Sequence, residues 1–163
     1  MVNFSKRKLL LRQEAHFLPW LTNSDSFFDD CTQCQKCVNS CETKVIELTS
    51  NGYPTLNFTK NECSFCYQCA ASCPEKLFSD RNEKPWNVIA SINEQCLAKH
   101  NVECRSCSDA CERSAITFQL IVGHSAQPNL DINECTGCGA CVSICPSLAI
   151  SITPQEAEIR ESL

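Results

Sequence analysis

The sixteen cysteines of this 163-residue chain are the residues whose type and spacing indicate chemistry. They divide into four quartets with none left over. Three quartets have the spacing C-x2-C-x2-C-x3-C, whereas the third begins with a gap of seven residues. The quartets are Cys31, Cys34, Cys37 and Cys41; Cys63, Cys66, Cys69 and Cys73; Cys96, Cys104, Cys107 and Cys111; and Cys135, Cys138, Cys141 and Cys145. Cysteines in such numbers bind zinc, bind iron–sulfur clusters or form disulfides, and spacing separates these uses.

The spacing favours [4Fe–4S] clusters. Three thiolates at x2 intervals can wrap one corner of an iron–sulfur cube, and in two-cluster ferredoxins the fourth ligates the neighbouring cluster. We expect that fourth cysteine to lie at the start of a helix. Structural zinc uses paired C-x2-C knuckles, and disulfides need an oxidising compartment. All sixteen cysteines are therefore predicted to hold four [4Fe–4S] clusters. The expected ligand sets are Cys31, Cys34, Cys37 and Cys73; Cys63, Cys66, Cys69 and Cys41; Cys96, Cys104, Cys107 and Cys145; and Cys135, Cys138, Cys141 and Cys111.

The long gap of the third quartet, residues 97–103, has two interpretations. It is either a loop insertion that leaves the four thiolates on their clusters, or the mark of a labile cluster with a functional use. Insertions in loops cost little chain entropy, so the first is favoured. His100 lies inside this segment, and a solvated histidine is favoured over one that acts on the cluster.

The quartets repeat along the chain at intervals of 32, 33 and 39 residues. Glu follows the fourth cysteine of quartets one and three, and Pro follows that of quartets two and four. This alternation favours a duplicated two-quartet unit that pairs the first quartet with the second and the third with the fourth. A nested pairing, first with fourth and second with third, is the weaker alternative.

The predicted fold is α+β: two tandem bacterial 2[4Fe–4S] ferredoxin-like units. Short runs with apolar–polar alternation predict the strands, at residues 45–48, 53–58, 91–93, 115–118, 128–132 and 149–152. The predicted segments are an N-terminal extension (1–30), a first unit (31–80), a linker (81–90), a second unit (91–153) and a tail (154–163). We expect residues 86–89 to cover the join.

The chain is short of ordinary core-forming side chains. Its apolar fraction is 43%, and the sixteen cysteines are part of that fraction. Clusters must therefore substitute for a conventional core, and metal binding becomes folding free energy. We expect the metal-free chain to be largely unfolded.

Composition excludes several classes of protein. A formal net charge of −5 argues against electrostatic binding of nucleic acid, and the sequence has no apolar run long enough for a membrane span. The basic residues near the N-terminus lack the apolar region of an export signal, which predicts a cytoplasmic protein. Apart from the cysteines there is no acid–base or nucleophile constellation, so the chain is not expected to be an enzyme.

Trp20, Phe27 and Phe28 are the aromatic residues of the N-terminal extension that lie nearest the first quartet. They either form a patch that binds a partner or pack onto the cluster-binding part of the chain, and the sequence leaves both interpretations open. Deletion of residues 1–30 is expected to spare the clusters. Loss of partner binding alone would then place the docking surface in this extension.

Three stretches carry a resemblance to a known family. They are the block N-E-C-S-F-C-Y-Q-C at 61–69, the segment C-P-E-K-L-F-S at 73–79, and the third quartet with its long gap at 96–112. Together with Gly52-Tyr53-Pro54, they resemble the NapF family, ferredoxin-type accessory proteins of the periplasmic nitrate reductase system. The likeness runs from about residue 30 to 152.

This resemblance implies a cytoplasmic protein that binds the precursor of the nitrate reductase catalytic subunit before export. It would act in maturation of that subunit, by iron–sulfur cluster loading or by reductive assembly. Only the sixteen cysteines match family positions with a defined role. The alternative is an electron-transfer polyferredoxin that links a donor to a reductase or to other redox proteins.

Overall fold

The computed structural model describes residues 18–23 and 26–155 of the chain. In this part of the chain the helices are very short. They are α1 (Phe27–Asp30), α2 (Lys36–Ser40), α3 (Gln68–Ala71), a 3-10 turn (Leu97–His100), α4 (Ser106–Asp109) and α5 (Ala140–Ser143). Isolated helices below about 12 residues are marginal in water, so these turns depend on what they pack against. No helix among the described residues is long and apolar enough to cross a membrane.

Four of these helices occupy the same place in the repeat. α2, α3, α4 and α5 each contain the third cysteine of a quartet and end before the fourth. The prediction that the fourth cysteine begins a helix is therefore wrong. Cys41 leaves α2 with an extended backbone (φ −70°, ψ 113°), and prolines follow Cys73 and Cys145, which disfavours helix at the residue before them.

The strands form three antiparallel pairs. β1 (Ile46–Leu48) pairs with β2 (Pro54–Leu56), and β4 (Ile116–Gln119) pairs with β5 (Gln127–Leu130). These four strands lie within or beside the segments predicted from alternation. Gly52, at φ +83°, lies in the β1–β2 connection, where a left-handed residue favours glycine.

The third pair joins distant segments. β3 (Val88–Ile92) pairs with β6 (Ile150–Pro154), from Val88 opposite Pro154 to Ile92 opposite Ile150. The strand predicted at 91–93 thus begins three residues earlier, within the segment predicted as linker. Val88 and Ala90 are buried, and their burial on one face of the pair extends the strand.

The chain forms two compact units that do not follow the sequence order of the quartets. Unit 1 contains Met1–Cys41, Ile46–Leu56 and Tyr67–Trp86, as far as these are described. Unit 2 contains Glu42–Val45, Asn57–Cys66 and Asn87–Leu163. The second quartet is consequently divided, with its first two cysteines in unit 2 and its last two in unit 1.

The core of unit 2 is small and sulfur-rich. Its buried cluster consists of Ala90, Cys107, Ile116, Cys141 and Ile150. Two of these five residues are predicted cluster ligands. The fold is α+β with little conventional core, as the composition predicted.

The described part of the extension packs into unit 1. Trp20 is 4% exposed, stacks edge-on against Tyr67 at 5.0 Å between ring centroids, and donates its Nε1–H to the carbonyl of Glu83 at 3.0 Å. Phe27 is 1% exposed, and Phe28 packs against Tyr53. Of the two interpretations left open, packing is the one that these residues adopt.

Candidate iron–sulfur centres

Four cysteines of unit 1 line one cavity. They are Cys31, Cys34 and Cys37 of the first quartet and Cys73 of the second. The cavity has apolar walls that include Leu18, Phe27 and Leu77. The four thiols are those of the first expected ligand set. Their convergence pairs the first quartet with the second, because the fourth ligand comes from the following repeat.

In the absence of a cation, the surroundings of this cavity disfavour ionisation of several of its thiols. Burial raises the pKa of the Cys37 thiol to about 11, and the neighbouring thiolates of Cys31, Cys73 and Cys34 add to the rise. The pKa of Cys73 is also raised, chiefly by burial. At the rim, the backbone N–H of Lys36 lowers the pKa of the exposed Cys34. Four thiolates held together here need positive charge among them, and the irons of a cluster supply it.

The third and fourth quartets meet in unit 2. Burial raises the pKa of Cys107 to about 11, with further contributions from the Cys96 and Cys104 thiolates. Burial likewise raises the pKa of Cys141 to about 12. The thiolate charges of Cys138, Cys135 and Cys107 make further, successively smaller contributions to this rise. Since the Cys107 charge contributes to the raised pKa of Cys141 and the two residues share one core, the third quartet lies beside the fourth. This is the duplicated pairing and not the nested one.

The fourth cysteines of these two quartets are held alike. Cys111 Sγ accepts the N–H of Ala115, and Cys145 Sγ accepts that of Ala149, both at 3.3 Å. Cys135 Sγ accepts the N–H of Ala90 at 3.4 Å. Hydrogen bonds to ligand sulfur are one of the means by which a protein tunes the reduction potential of a cluster.

The second quartet has buried members in both units. Cys63 lies in unit 2 with the partly exposed Cys66, whereas Cys41 and Cys69 lie in unit 1. Cys63, Cys41 and Cys69 are buried. Their grouping as one ligand set remains a prediction.

Left-handed residues between the first three cysteines shape the loops of quartets one, two and four. The two positions in each loop have positive φ: Gln33 (55°) and Gln35 (61°), Phe65 (54°) and Tyr67 (70°), and Gly137 (71°) and Gly139 (87°). Two such reversals in five residues let the chain turn its three cysteines toward one point. Of these residues, only the glycines would lead one to predict this conformation from the sequence, because left-handed backbone costs other residues about 1–2 kcal/mol.

The third quartet departs from this backbone pattern. Arg105, which follows Cys104, has φ −132° and ψ 10° where the other quartets have a left-handed residue. The inserted residues instead form the 3-10 turn, and Ala98 in it is fully buried. The Ala98 carbonyl accepts bonds from Ser125 Oγ (2.9 Å) and Gln127 Nε2 (2.6 Å). The insertion is thus built into unit 2, as expected of a structural loop insertion.

His100 takes part in this local structure. Its Nε2 lies 2.8 Å from the carbonyl oxygen of Glu94, on the exposed side of the turn. This contact agrees with a solvated loop histidine.

The donor set fits [4Fe–4S] clusters. All sixteen cysteines lie in the described part of the chain, and none of them is in a disulfide. No group of three or more Cys, His, Asp or Glu side chains among the described residues is placed to hold a single metal ion. The cysteines named above would each contribute one thiolate, and a bound cluster would supply reversible one-electron chemistry. The protein contributes burial and N–H···S bonds, which set the potential.

Comparison with known proteins agrees with these sites. The 4Fe-4S dicluster domain matches twice, at residues 30–77 and 102–149. The ferredoxin-type protein NapF of Escherichia coli (strain K12) is 45% identical over 133 residues, which are 82% of this chain and 81% of that protein. The chain belongs to the NapF family of ferredoxin-type proteins.

A second NapF protein, from Haemophilus influenzae, is 39% identical over 134 residues, covering 82% of this chain and 76% of that protein. The ferredoxin-type protein MauM of Methylophilus methylotrophus is 27% identical over 146 residues, or 77% and 65% of the two chains. Each dicluster match spans two consecutive quartets or most of them. The two dicluster domains of this NapF-family chain support [4Fe–4S] binding and are consistent with four clusters.

Sequence reasoning missed Leu18 at the NapF-family site, and it gave packing of Phe27 onto the cluster-binding part only as one of two open interpretations. Leu18 and Phe27 belong to the extension but form part of the wall around Cys31, Cys34 and Cys37. The available signal was that Phe27 and Phe28 lie only a few positions before the first quartet. The extension therefore belongs to the first cluster site, at least from Leu18 onward.

This placement reverses the expectation for deletion of residues 1–30. Removal of Leu18 and Phe27 opens the first cavity to water, so we predict loss of one cluster, from about sixteen to about twelve irons per chain. Anaerobic iron and sulfide analysis of the purified deletion variant measures this. Undiminished iron would show that the extension does not support the first site.

A matched pair of substitutions separates this effect from truncation. Phe27→Ala removes a fully buried wall residue and should cost about 3–5 kcal/mol of unfolding free energy, with faster loss of the first cluster under chelator. Phe28→Ala removes a half-buried ring that is absent from the cavity wall and should leave the rate of loss unchanged. Equal rates for the two variants would contradict the assignment.

Proposed function

We propose that this protein acts in the cytoplasm in maturation of the catalytic subunit of periplasmic nitrate reductase, on its precursor before export. The observation that carries the proposal is the 45% identity to a NapF protein across four-fifths of both chains, together with sixteen free cysteines in four quartets. Free thiols destined for clusters require a reducing compartment, which supports a cytoplasmic location.

Within maturation, the structure favours reductive assembly over donation of whole clusters. A donor needs a site that opens readily. The third quartet was the candidate for such a site, but its insertion is held by the Ser125 and Gln127 bonds to Ala98, and Cys107 lies in the core. Retained clusters pass electrons and not iron. We therefore propose that the protein supplies electrons while the partner acquires its cluster, and that it carries out no substrate chemistry of its own.

The second candidate function is a general electron carrier that serves a reductase. The twofold match to a dicluster domain favours it, as does similarity to a ferredoxin-type protein outside the NapF family. A carrier would exchange electrons with the mature enzyme as well as with its precursor. Preference for the precursor distinguishes the two functions.

The test is anaerobic co-purification of the ⁵⁷Fe-labelled protein with the cluster-free precursor, with the mature subunit as control. Reductive assembly predicts stable binding to the precursor, oxidation of this protein's clusters during assembly, and ⁵⁷Fe retained in this protein. Movement of ⁵⁷Fe into the precursor would establish cluster donation. Equal electron exchange with both forms and no effect on assembly would make the protein a carrier.

A further inference from the structure

The loops of the second and fourth quartets touch within unit 2. The backbone N–H of Cys63 donates to the backbone carbonyl of Cys138 at 2.8 Å. Both residues belong to unit 2, and both are predicted cluster ligands. A single hydrogen bond thus joins the main-chain atoms of ligands to two different clusters.

A second contact, between the Phe58 ring and Gly139, lies next to this hydrogen bond. A Cβ atom added to Gly139 would lie 2.0 Å from Cδ1 of the Phe58 ring, with two further ring atoms within 2.7 Å. The ring therefore lies directly against the glycine backbone, one residue beyond Cys138. Gly139 also has φ +87°, a conformation that other residues adopt only with strain. Because this packing is so tight, residues 57–63 are held in contact with the fourth-quartet loop.

We propose that this contact is the electron path between the clusters of the second and fourth quartets, and so between the two dicluster domains. The path runs from Cys63 Sγ through its Cβ, Cα and N–H, across the hydrogen bond, and through the carbonyl, Cα and Cβ of Cys138 to its Sγ. Tunnelling falls off more slowly through bonded atoms than through space. With both clusters bound, one electron would pass from the cluster held at Cys63, which is thereby oxidised, to the cluster held at Cys138, which is thereby reduced, and no proton or atom would move.

This path deepens the proposed electron-supplying function and rests on cluster binding by both quartets. Each dicluster domain with two clusters bound would store two electrons. With the path between them, an electron that enters at residues 30–77 can leave from residues 102–149. The protein can then accept electrons at one place and deliver them at another.

The test uses the full chain with all four clusters and a variant that separates the two loops. In Gly139→Ala the new methyl group collides with Phe58 and drives the loops apart. Gly123→Ala is the matched control, because Gly123 has nearly the same φ, +82°, but nothing within 4 Å of an added Cβ. Iron analysis first establishes that each variant holds its clusters.

The readout is low-temperature EPR of the dithionite-reduced proteins. Reduced clusters in close contact broaden and relax each other's signals. Gly139→Ala should lose part of this interaction broadening and redistribute electrons more slowly after substoichiometric dithionite, whereas Gly123→Ala should match the wild type. Unchanged broadening and redistribution in a fully loaded Gly139→Ala variant would overturn the proposal.

If Gly139→Ala loses iron, a second variant tests the proposed electron path. Phe58→Ala removes the ring that contacts Gly139 and leaves the sequence of the fourth-quartet loop unchanged. It should show the same slower redistribution, and wild-type behaviour in a loaded Phe58→Ala protein would again overturn the path. Iron missing from the wild-type second or fourth quartet would instead contradict the underlying cluster assignment.

Discussion

Replacing Cys107 with alanine is expected to remove the third-quartet cluster, with loss of about four of about sixteen irons per chain. Cys107 is the central buried cysteine of its quartet and senses the charges of Cys96 and Cys104. It is also one of five residues in the buried cluster of unit 2. The substitution therefore removes a predicted ligand and leaves a cavity in a core that contains few other residues.

The loss should spread beyond one cluster. Metal-binding free energy is folding free energy in proteins of this kind, so the β4–β5 and β3–β6 pairs should lose protection from amide hydrogen exchange. Anaerobic iron analysis and exchange measured by mass spectrometry report the two effects separately. Unit 1 should keep its iron and its protection.

Ser108→Ala is the control for this substitution. Ser108 is the next residue in α4, and alanine is a good helix former. This variant should retain four clusters and the wild-type exchange pattern. A Cys107→Ala protein with full iron content and unaltered exchange would show that this cysteine is not a ligand.

Cysteine spacing predicted which residues come together in the first cavity, because cluster chemistry dictates that spacing. The first cavity contains the expected Cys31, Cys34, Cys37 and Cys73, and the fourth of these is separated from the third by 36 positions in the numbering. The pattern itself supplies this long-range contact. The alternating segments near Ile46, Ile116 and Ile150 likewise predicted their strands.

Features that depend on packing could not be predicted in the same way. Val88 and Ala90 form a strand because β6 lies beside them, and Ala90 contributes little to an apolar pattern. Tyr67 and Gln35 adopt left-handed conformations that their residue types disfavour. The division of the second quartet between two units follows from contacts such as Phe58 on Gly139, which no local pattern signals.

The extension shows the same limit. Packing of Trp20 and Phe27 was one of two interpretations that the sequence left open, and the sequence could not choose between them. Their role depends on where the chain before Cys31 lies in space. A sequence without a repeat in this segment offers no template for that placement.

The insertion in the third quartet is an intermediate case. Its length predicted a tolerated loop, and the 3-10 turn with buried Ala98 agrees with that. The residues that hold it, Ser125 and Gln127, lie more than twenty positions away. Their polar side chains had no visible partner in the sequence.

Anaerobic removal of iron with chelator and mild oxidant is expected to unfold most of the chain. The described helices have four or five residues and the sheets have two strands, and neither is stable alone in water. Far-UV circular dichroism should lose most of its structured signal, and hydrogen exchange should become fast throughout residues 26–155. Reconstitution with iron, sulfide and thiol should restore both signals, since the energy of assembly is the energy of folding.

The small, sulfur-rich core of unit 2 explains why this effect should exceed that of any single substitution. In unit 2, Cys107 and Cys141 have pKa values raised by burial to about 11 and about 12, so the metal-free core would hold neutral thiols in place of bonded sulfur. What remains is chiefly Ala90, Ile116 and Ile150, too little apolar surface to offset the entropy of ordering the chain. Carboxymethylated chain, which cannot bind iron, serves as the fully unfolded reference. A metal-free chain that keeps native exchange protection would show that these small cores fold without their clusters.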